Sequence, residues 1–185
     1  EEALQQLLAD GDFLRRLRAA KTRVQAGFLA LDPRSGAVLA WVGSRDFEQD
    51  PFDHVQAARR QPGSTFKPFV YGAAFAKGML PTDQLMDQAV EIPLGGKQVW
   101  RPTDGRTPPS NEPMQLRDGL AYSKNTITAQ LMQQVGPERL AQLARAMGVR
   151  ESRLEAVPAL ALGTSSVTLK EMVAAYGTIA SGGLY

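Results

Sequence analysis

The stretch Arg59-Arg60-Gln61-Pro62-Gly63-Ser64-Thr65-Phe66-Lys67-Pro68-Phe69 turns a connection into a helix and places two reactive side chains on the helix's first turn. Gln61-Pro62-Gly63 is a turn signal. From Ser64 an apolar face of Phe66, Phe69, Val70, Ala73 and Ala74 runs at helical spacing to about Lys77, with Gly78 as terminator. Ser64 and Lys67 are three residues apart, so on a helical turn they share a face, where a neutral lysine amine can take the serine's proton as the hydroxyl attacks a carbonyl. That chemistry requires Lys67 to be uncharged for part of the cycle, a state favoured by desolvation or a neighbouring cation. Free N–H groups at the helix start suit a developing oxyanion. Two facts weigh against a bare match. Ser-x-x-Lys occurs by chance about 0.6 times in a chain of this length, and its plain alternative is a capping Ser64 with a solvated Lys67. Pro68 also disfavours helical dihedrals at Lys67, so the shared face exists only if the helix begins ahead of it.

Upstream, residues 43–63 carry mixed charge and Pro51 and read as a long surface connection. Before them, 24–31 and 37–42 are apolar runs of strand length joined by Asp32-Pro33-Arg34-Ser35-Gly36, which predicts a β-hairpin. Residues 3–20 place Leu4, Leu7, Leu8, Phe13, Leu14 and Leu17 at roughly helical spacing, broken at Asp10-Gly11-Asp12 into two short helices.

Downstream, residues 79–114 hold six of the twelve prolines with Gly95-Gly96 and Gly105, a long connection of the kind that borders a cleft, with short strands at 90–92 and 98–100. Leu116 and Leu120 mark a short helix before Ser123, and Ile127, Leu131 and Val135 mark another that stops at Gly136. Pro137 opens a helix with Leu140, Leu143, Ala144 and Met147 on one face and Gly148 at its end. Thr168-Leu169-Lys170-Glu171 has the form of a capping box, followed by an expected buried stripe of Leu169, Met172, Val173, Tyr176 and Ile179. One hairpin against five or six helices leaves a sheet too small to cover them. The expectation is an α/β (α+β) domain with an incomplete sheet, cut from a longer protein.

Composition narrows the chemistry. The 185 residues leave room for one domain with a core. No cysteine and one histidine exclude disulfides, thiolate nucleophiles and multi-histidine metal cages, so neither a metal nor a cofactor is expected. A nucleophile must be Ser, Thr, Lys or a carboxylate, and its base a Lys, Asp or Glu rather than His54. The net charge of +2 does not suggest nucleic-acid binding. No run of about 18 apolar residues and no basic-then-apolar start are present, so an anchor or export signal belongs outside these residues. His54 reads as a surface residue, and Trp41, Trp100 and Tyr122 as core packing.

Ser123-Lys124-Asn125 lies 59 residues beyond Ser64, between two predicted helices. On spacing alone it caps a helix. Functionally it offers a second hydroxyl for proton shuttling and an amide to hold a carbonyl or the lysine. The two segments together, Ser64-Thr65-Phe66-Lys67 and then Ser123-Lys124-Asn125, closely resemble the Ser-x-x-Lys and Ser-x-Asn motifs of penicillin-binding proteins. Leu29-Ala30-Leu31-Asp32-Pro33-Arg34-Ser35-Gly36-Ala37-Val38-Leu39-Ala40 is similar to the opening hairpin of the class A transpeptidase domain, and Ala159-Leu160-Ala161-Leu162-Gly163-Thr164 with the helix after it to a later part.

The resemblance implies a serine β-lactamase/penicillin-binding-protein-like transpeptidase fold with a helical subdomain. It divides the chain into a lead-in or linker, 1–23, and part of a transpeptidase domain, 24–185. It further implies a D,D-transpeptidase that cross-links peptidoglycan stem peptides through an acyl-enzyme on Ser64, with Lys67 as base, Ser123 as proton relay and Asn125 positioning substrate. β-Lactam antibiotics would acylate the same serine. Class A members add a membrane anchor and a glycosyltransferase domain, and they work at the periplasmic or extracellular face of the bacterial inner membrane. The family's third motif, Lys-Thr/Ser-Gly, is absent: Lys21-Thr22-Arg23 lacks the glycine and precedes the nucleophile. These residues alone are therefore expected to be a poor catalyst. Two rival readings remain, a penicillin-sensing or non-catalytic β-lactam-binding domain and a serine β-lactamase. The second lacks its Glu-x-x-Leu-Asn carboxylate, which neither Glu151 nor Glu155 supplies.

Overall fold

A computed structural model describes the backbone of residues 2–185 and the side chains there except those of residues 2, 3, 6, 7 and 20. The first two helices are α1 (Glu2–Ala9) and α2 (Gly11–Thr22), and the break between them is a cap: the Asp10 carboxylate accepts from Asp12 N and Phe13 N. Leu4, Leu8, Leu14 and Leu17 are exposed, so this helical pair buries little of its apolar face; Leu7 lies outside the described side chains.

The predicted hairpin forms as β1 (Phe28–Leu31) against antiparallel β2 (Val38–Val42), with Leu29 opposite Trp41. Asp32 organises its turn by accepting from Arg34 N and the Ser35 hydroxyl, and Gly36 supplies the left-handed residue at φ 72°. Three further pairs have two or three residues per strand on at least one side: β3 (Arg59–Arg60) with β8 (Val167–Thr168), β4 (Gln84–Met86) with β7 (Pro113–Gln115), and β5 (Ile92–Gly95) with β6 (Gln98–Trp100). Only the last was expected, and strands this short carry no readable alternation.

The core is helical. It joins α3 (Lys67–Phe75), α5 (Asn125–Val135), α6 (Pro137–Met147) and the 3-10 turn Pro158–Leu162 around Phe66, Phe69, Tyr71, Leu116, Ile127, Leu131, Met132, Leu140 and Leu160, all at most 1% exposed. The short helix α4 (Leu116–Ala121) precedes α5, and α7 (Leu169–Ala180) lies against α6 and β1. Its predicted capping box is present in both directions between Thr168 and Glu171.

The expected buried stripe of α7 is a correction. Leu169, Met172 and Val173 are half-buried, and Tyr176 and Ile179 are 40% and 46% exposed; the face turned inward carries Glu171, Ala175 and Thr178. The reason is close approach to α6: a Cβ at Gly148 would stand 3.2 Å from Ala175 N, leaving no room there for a large side chain. Glu171 tolerates burial because it accepts five hydrogen bonds, from Glu151 N, Ser152 N, the Ser152 hydroxyl, Thr168 N and the Thr168 hydroxyl. Burial by itself would raise its pKa, but these donors outweigh it and hold the carboxyl below its ordinary value.

The aromatic expectations divide. Trp100 is half-buried against Val90, Ile92 and Ala129, as core packing requires. Trp41 is 39% exposed and donates to Asp53, while Tyr122 is 74% exposed next to Ser123 and is not core at all. His54 is drawn off the surface: its Nε2 lies 2.8 Å from Asp50 Oδ2 and its ring meets Phe52 edge-on at 5.0 Å.

Candidate active site

Ser64 sits in a 3-10 turn, Gly63–Phe66, that runs directly into α3. This removes the difficulty raised by Pro68. Lys67 keeps helical dihedrals, φ −57° and ψ −38°, its N–H donates to Ser64 O, and Pro68 occupies the first turn of α3, where a missing donor costs least. At three residues per turn, positions i and i+3 stack one above the other, so the 3-10 geometry aligns Ser64 with Lys67 more directly than an α-turn would.

The turn is pinned from below by backbone contact. Gly63 N donates to Gly163 O at 3.3 Å, and a Cβ on Gly163, which has φ 72°, would stand 2.3 Å from Gly63 O and 2.5 Å from Gly63 N. Only glycine permits that approach. The hydroxyl of Tyr176 adds a hydrogen bond to Thr65 O at 2.7 Å. Ser64 itself is exposed, and its side chain has no hydrogen-bond partner among the described residues, so it is not the helix cap of the plain reading.

Lys67 is not the solvated side chain of that reading either. It is 1% exposed, and its ammonium donates to Asn125 Oδ1 at 2.6 Å, to Ser123 Oγ at 3.0 Å and to the Ser123 carbonyl. Desolvation is the main cause that lowers its pKa, to about 8; the nearby Asp104 charge opposes this and Lys124 adds to it.

Ser123 reaches Lys67 through an unusual backbone. It is the residue after the α4 C-cap and holds φ 56°, a left-handed conformation normally given to glycine. Ser123 N donates to Leu120 O and Lys124 N to Gly119 O, the paired bonds of a Schellman motif. A serine in this position carries backbone strain in return for a hydroxyl and a carbonyl aimed at Lys67. Ser123 and Asn125 do not cap α5. That end is satisfied by Asp104, whose Oδ1 accepts from Asn125 N at 2.6 Å, while Asn125 Nδ2 donates to Thr103 O at 2.6 Å.

Lys67, Ser123 and Asn125 therefore come together, with Ser64 on the adjoining turn, although spacing alone reads Ser123 and Asn125 as a helix cap. Thr103, Asp104 and Asp87 were missed. Asp87 is fully buried and accepts from the Thr126 hydroxyl and Ser110 N, and Lys124 Nζ lies 2.9 Å from both Asp87 Oδ2 and Asp104 Oδ2. These carboxylates stand in the proline-rich connection with no local pattern to mark them. A groove of about 800 Å³ runs beside the Ser64 turn along Gln61, Pro62, Thr65, Leu169, Met172 and Tyr176, and is not lined by Lys67, Ser123 or Asn125. No group of acidic or histidine side chains among the described residues is arranged to hold a metal ion.

The chain is similar to proteins of known sequence and structure. The family described as the penicillin binding protein transpeptidase domain matches residues 26–185. The chain is 38% identical over 165 residues to penicillin-binding protein 2D of Bacillus subtilis, covering 89% of this chain and 24% of that protein. It is 38% identical over 164 residues to penicillin-binding protein 1A of Neisseria meningitidis, covering 86% and 20%. Penicillin-binding protein 1A of Haemophilus influenzae superposes with a TM-score of 0.78 at 34% identity, over 83% of this chain and 23% of that one. The chain thus spans about a quarter or less of the length of these relatives.

Proposed function

We propose, from the premise that this chain belongs to the family of penicillin-binding protein transpeptidase domains, that it carries the nucleophile, base and relay of a serine D,D-transpeptidase acting on peptidoglycan stem peptides. The observation that carries the reading is the buried Lys67 ammonium, held by Ser123 and Asn125 one turn from an exposed Ser64 whose hydroxyl has no hydrogen-bond partner among the described residues. With a pKa of about 8, Lys67 is neutral in about one molecule in ten at pH 7, against fewer than about one in a thousand for an ordinary lysine.

In that fraction the amine takes the Ser64 proton as Oγ attacks the carbonyl of the D-alanyl-D-alanine bond. The C–N bond breaks, the proton passes by way of the Ser123 hydroxyl to the departing D-alanine amine, and the acyl group remains on Ser64 as an ester. An acceptor amine on a neighbouring stem then attacks the ester, gives up a proton through the same groups and restores the Ser64 hydroxyl. Asn125 has one face on Lys67 and is fixed by Thr103, which suits it to orient the peptide. A β-lactam enters by the same attack and stays on Ser64.

The place of action is the outer side of the bacterial inner membrane, where peptidoglycan lies. No helix among the described residues is long and apolar enough to cross a membrane. Residues 1–23 act as the lead-in to the domain. A strand bearing Lys-Thr/Ser-Gly would supply further substrate contacts, so the 185 residues alone react slowly.

Intact-mass measurement with excess penicillin tests the reading. A slowly growing adduct of one penicilloyl group, mapped to Ser64 and lost in Ser64→Ala, is expected; transfer to an added amine then separates a transferase from a sensor. No adduct, on this chain or on one extended through a Lys-Thr/Ser-Gly segment, overturns the assignment.

A further inference from the structure

Nothing in the proposed proton path uses the side chain of Lys124. Its Nζ sits 2.9 Å from Asp87 Oδ2 and 2.9 Å from Asp104 Oδ2, with side-chain exposures of 12%, 0% and 11% for the three residues. Each carboxylate is tied in turn to backbone near the site. Asp104 accepts from Asn125 N, the first N–H of α5, where the helix dipole favours an anion. Asp87 accepts from the Thr126 hydroxyl and from Ser110 N. One ammonium thus joins the proline-rich connection to the segment that holds Ser123 at φ 56°.

We infer that Lys124, clamped between Asp87 and Asp104, is a positioning residue that holds Ser123 and Asn125 against Lys67 and sets the charge state that Lys67 adopts. The inference rests on Lys67 being the base, as proposed above. The charges facing Lys67 come from two elements: Asp104 from the 103–105 connection and Lys124 from the α4–α5 junction, with Asp87 bearing on Lys124 from the connection after β4. Ser64, Ser123 and Asn125 face it as neutral groups. With all four charged side chains ionised, the cluster of Lys67, Lys124, Asp87 and Asp104 is neutral overall. Losing the Lys67 proton leaves one net negative charge, which Asp104 resists and Lys124 compensates. The two neighbours therefore push Lys67 in opposite directions, in agreement with the signs of their influence on its pKa.

Opposite signs make the idea testable, because a merely structural disturbance does not shift one titration both ways. The Lys67 side chain is titrated by carbon-13 NMR of its ε-methylene in the unmodified chain, with Lys67→Arg to assign the signal. Lys124→Met raises the midpoint by about one pH unit, and Asp104→Asn, whose amide oxygen still accepts from Asn125 N, lowers it by about one unit. Lys124→Arg keeps the charge between both carboxylates and stays within about 0.3 units of the unmodified chain. If Lys124→Met fails to fold, Asp104→Asn and Lys124→Arg decide alone. Midpoints that do not move, or that move in the same direction for Lys124→Met and Asp104→Asn, overturn the inference. The titration needs no acylation: an unmodified chain that titrates as stated but never forms a penicilloyl adduct refutes the proposed function instead.

Discussion

Replacing Ser123 by glycine and by alanine separates the strain at this residue from its chemistry. Both substitutions delete the Oγ that accepts from the Lys67 ammonium at 3.0 Å, a charge-assisted bond whose loss costs about 1–3 kcal/mol at a buried site. Only glycine also relieves φ 56°. A left-handed residue with a Cβ costs roughly 1–2 kcal/mol, and glycine returns part of that gain through its greater freedom in the unfolded chain, roughly 0.5–1 kcal/mol. Ser123→Gly is therefore expected to be more stable than Ser123→Ala by about 1 kcal/mol, or about 2–4 °C in Tm for a chain of this size. Thermal melts monitored by circular dichroism, repeated by urea titration, measure the difference. The penicilloylation rate is expected to fall by the same factor in both, about a hundredfold or more, because the relay hydroxyl is gone from each. An alanine variant as stable as the glycine variant refutes the strain argument, and a glycine variant that acylates at the unmodified rate refutes the relay.

Other expectations follow from single contacts. Gly163→Ala drives a Cβ into Gly63 O and N at 2.3 and 2.5 Å and is expected to cost about 3 kcal/mol or more, read as a lowered urea midpoint together with lost adduct formation. The acylation rate rises with pH through an inflection near 8, since the protonated Lys67 cannot act as base and its pKa is lowered to about 8; a profile with an inflection above 10 contradicts the burial argument. Glu171 and Asp87 have folded pKa values below their unfolded ones, Asp87 at about 2. For Asp87, burial acts upward but the donors Thr126, Ser110 and Lys124 together outweigh it. Both residues thus stabilise the fold above the ordinary carboxylate range, and that contribution is lost as pH falls through their lowered pKa values, for Asp87 about 2 kcal/mol as pH falls toward about 2; Asp87→Asn flattens the acid side of a stability-against-pH curve. Leu39→Lys, at a side chain 69% exposed on β2, leaves Tm within about 1 °C and raises the concentration at which light scattering first detects association.

Much of the helical layer was legible because each signal acts within one or two turns. Thr168 and Glu171 are three residues apart and satisfy one another's backbone, Pro137 opens a helix wherever it falls at the first position, and the Asp32 to Gly36 turn is made by its own side chains. The same locality explains the failures. The strands β3, β4, β7 and β8 are two or three residues long and exist through partners 27 or more positions away, so no periodicity announces them. The α7 stripe was misassigned because apolar spacing gives the direction of an apolar face but not what lies opposite it. Contact with Gly148 decided that the small residues faced inward.

For the site, the chemical inventory follows from residue types and their order: no thiol, one imidazole, and a serine and lysine three residues apart, followed by Ser-x-Asn. These are covalent facts about which atoms exist and how far apart the chain allows them to be. It is the packing of distant segments that makes Lys67 dry, holds Ser123 left-handed and lets Asp104, rather than Ser123 or Asn125, satisfy the start of α5. Burial and the approach of polar and charged groups across 20 to 58 residues arise when separate segments pack together, and a lysine's readiness to lose a proton depends on those neighbours more than on its place in the chain.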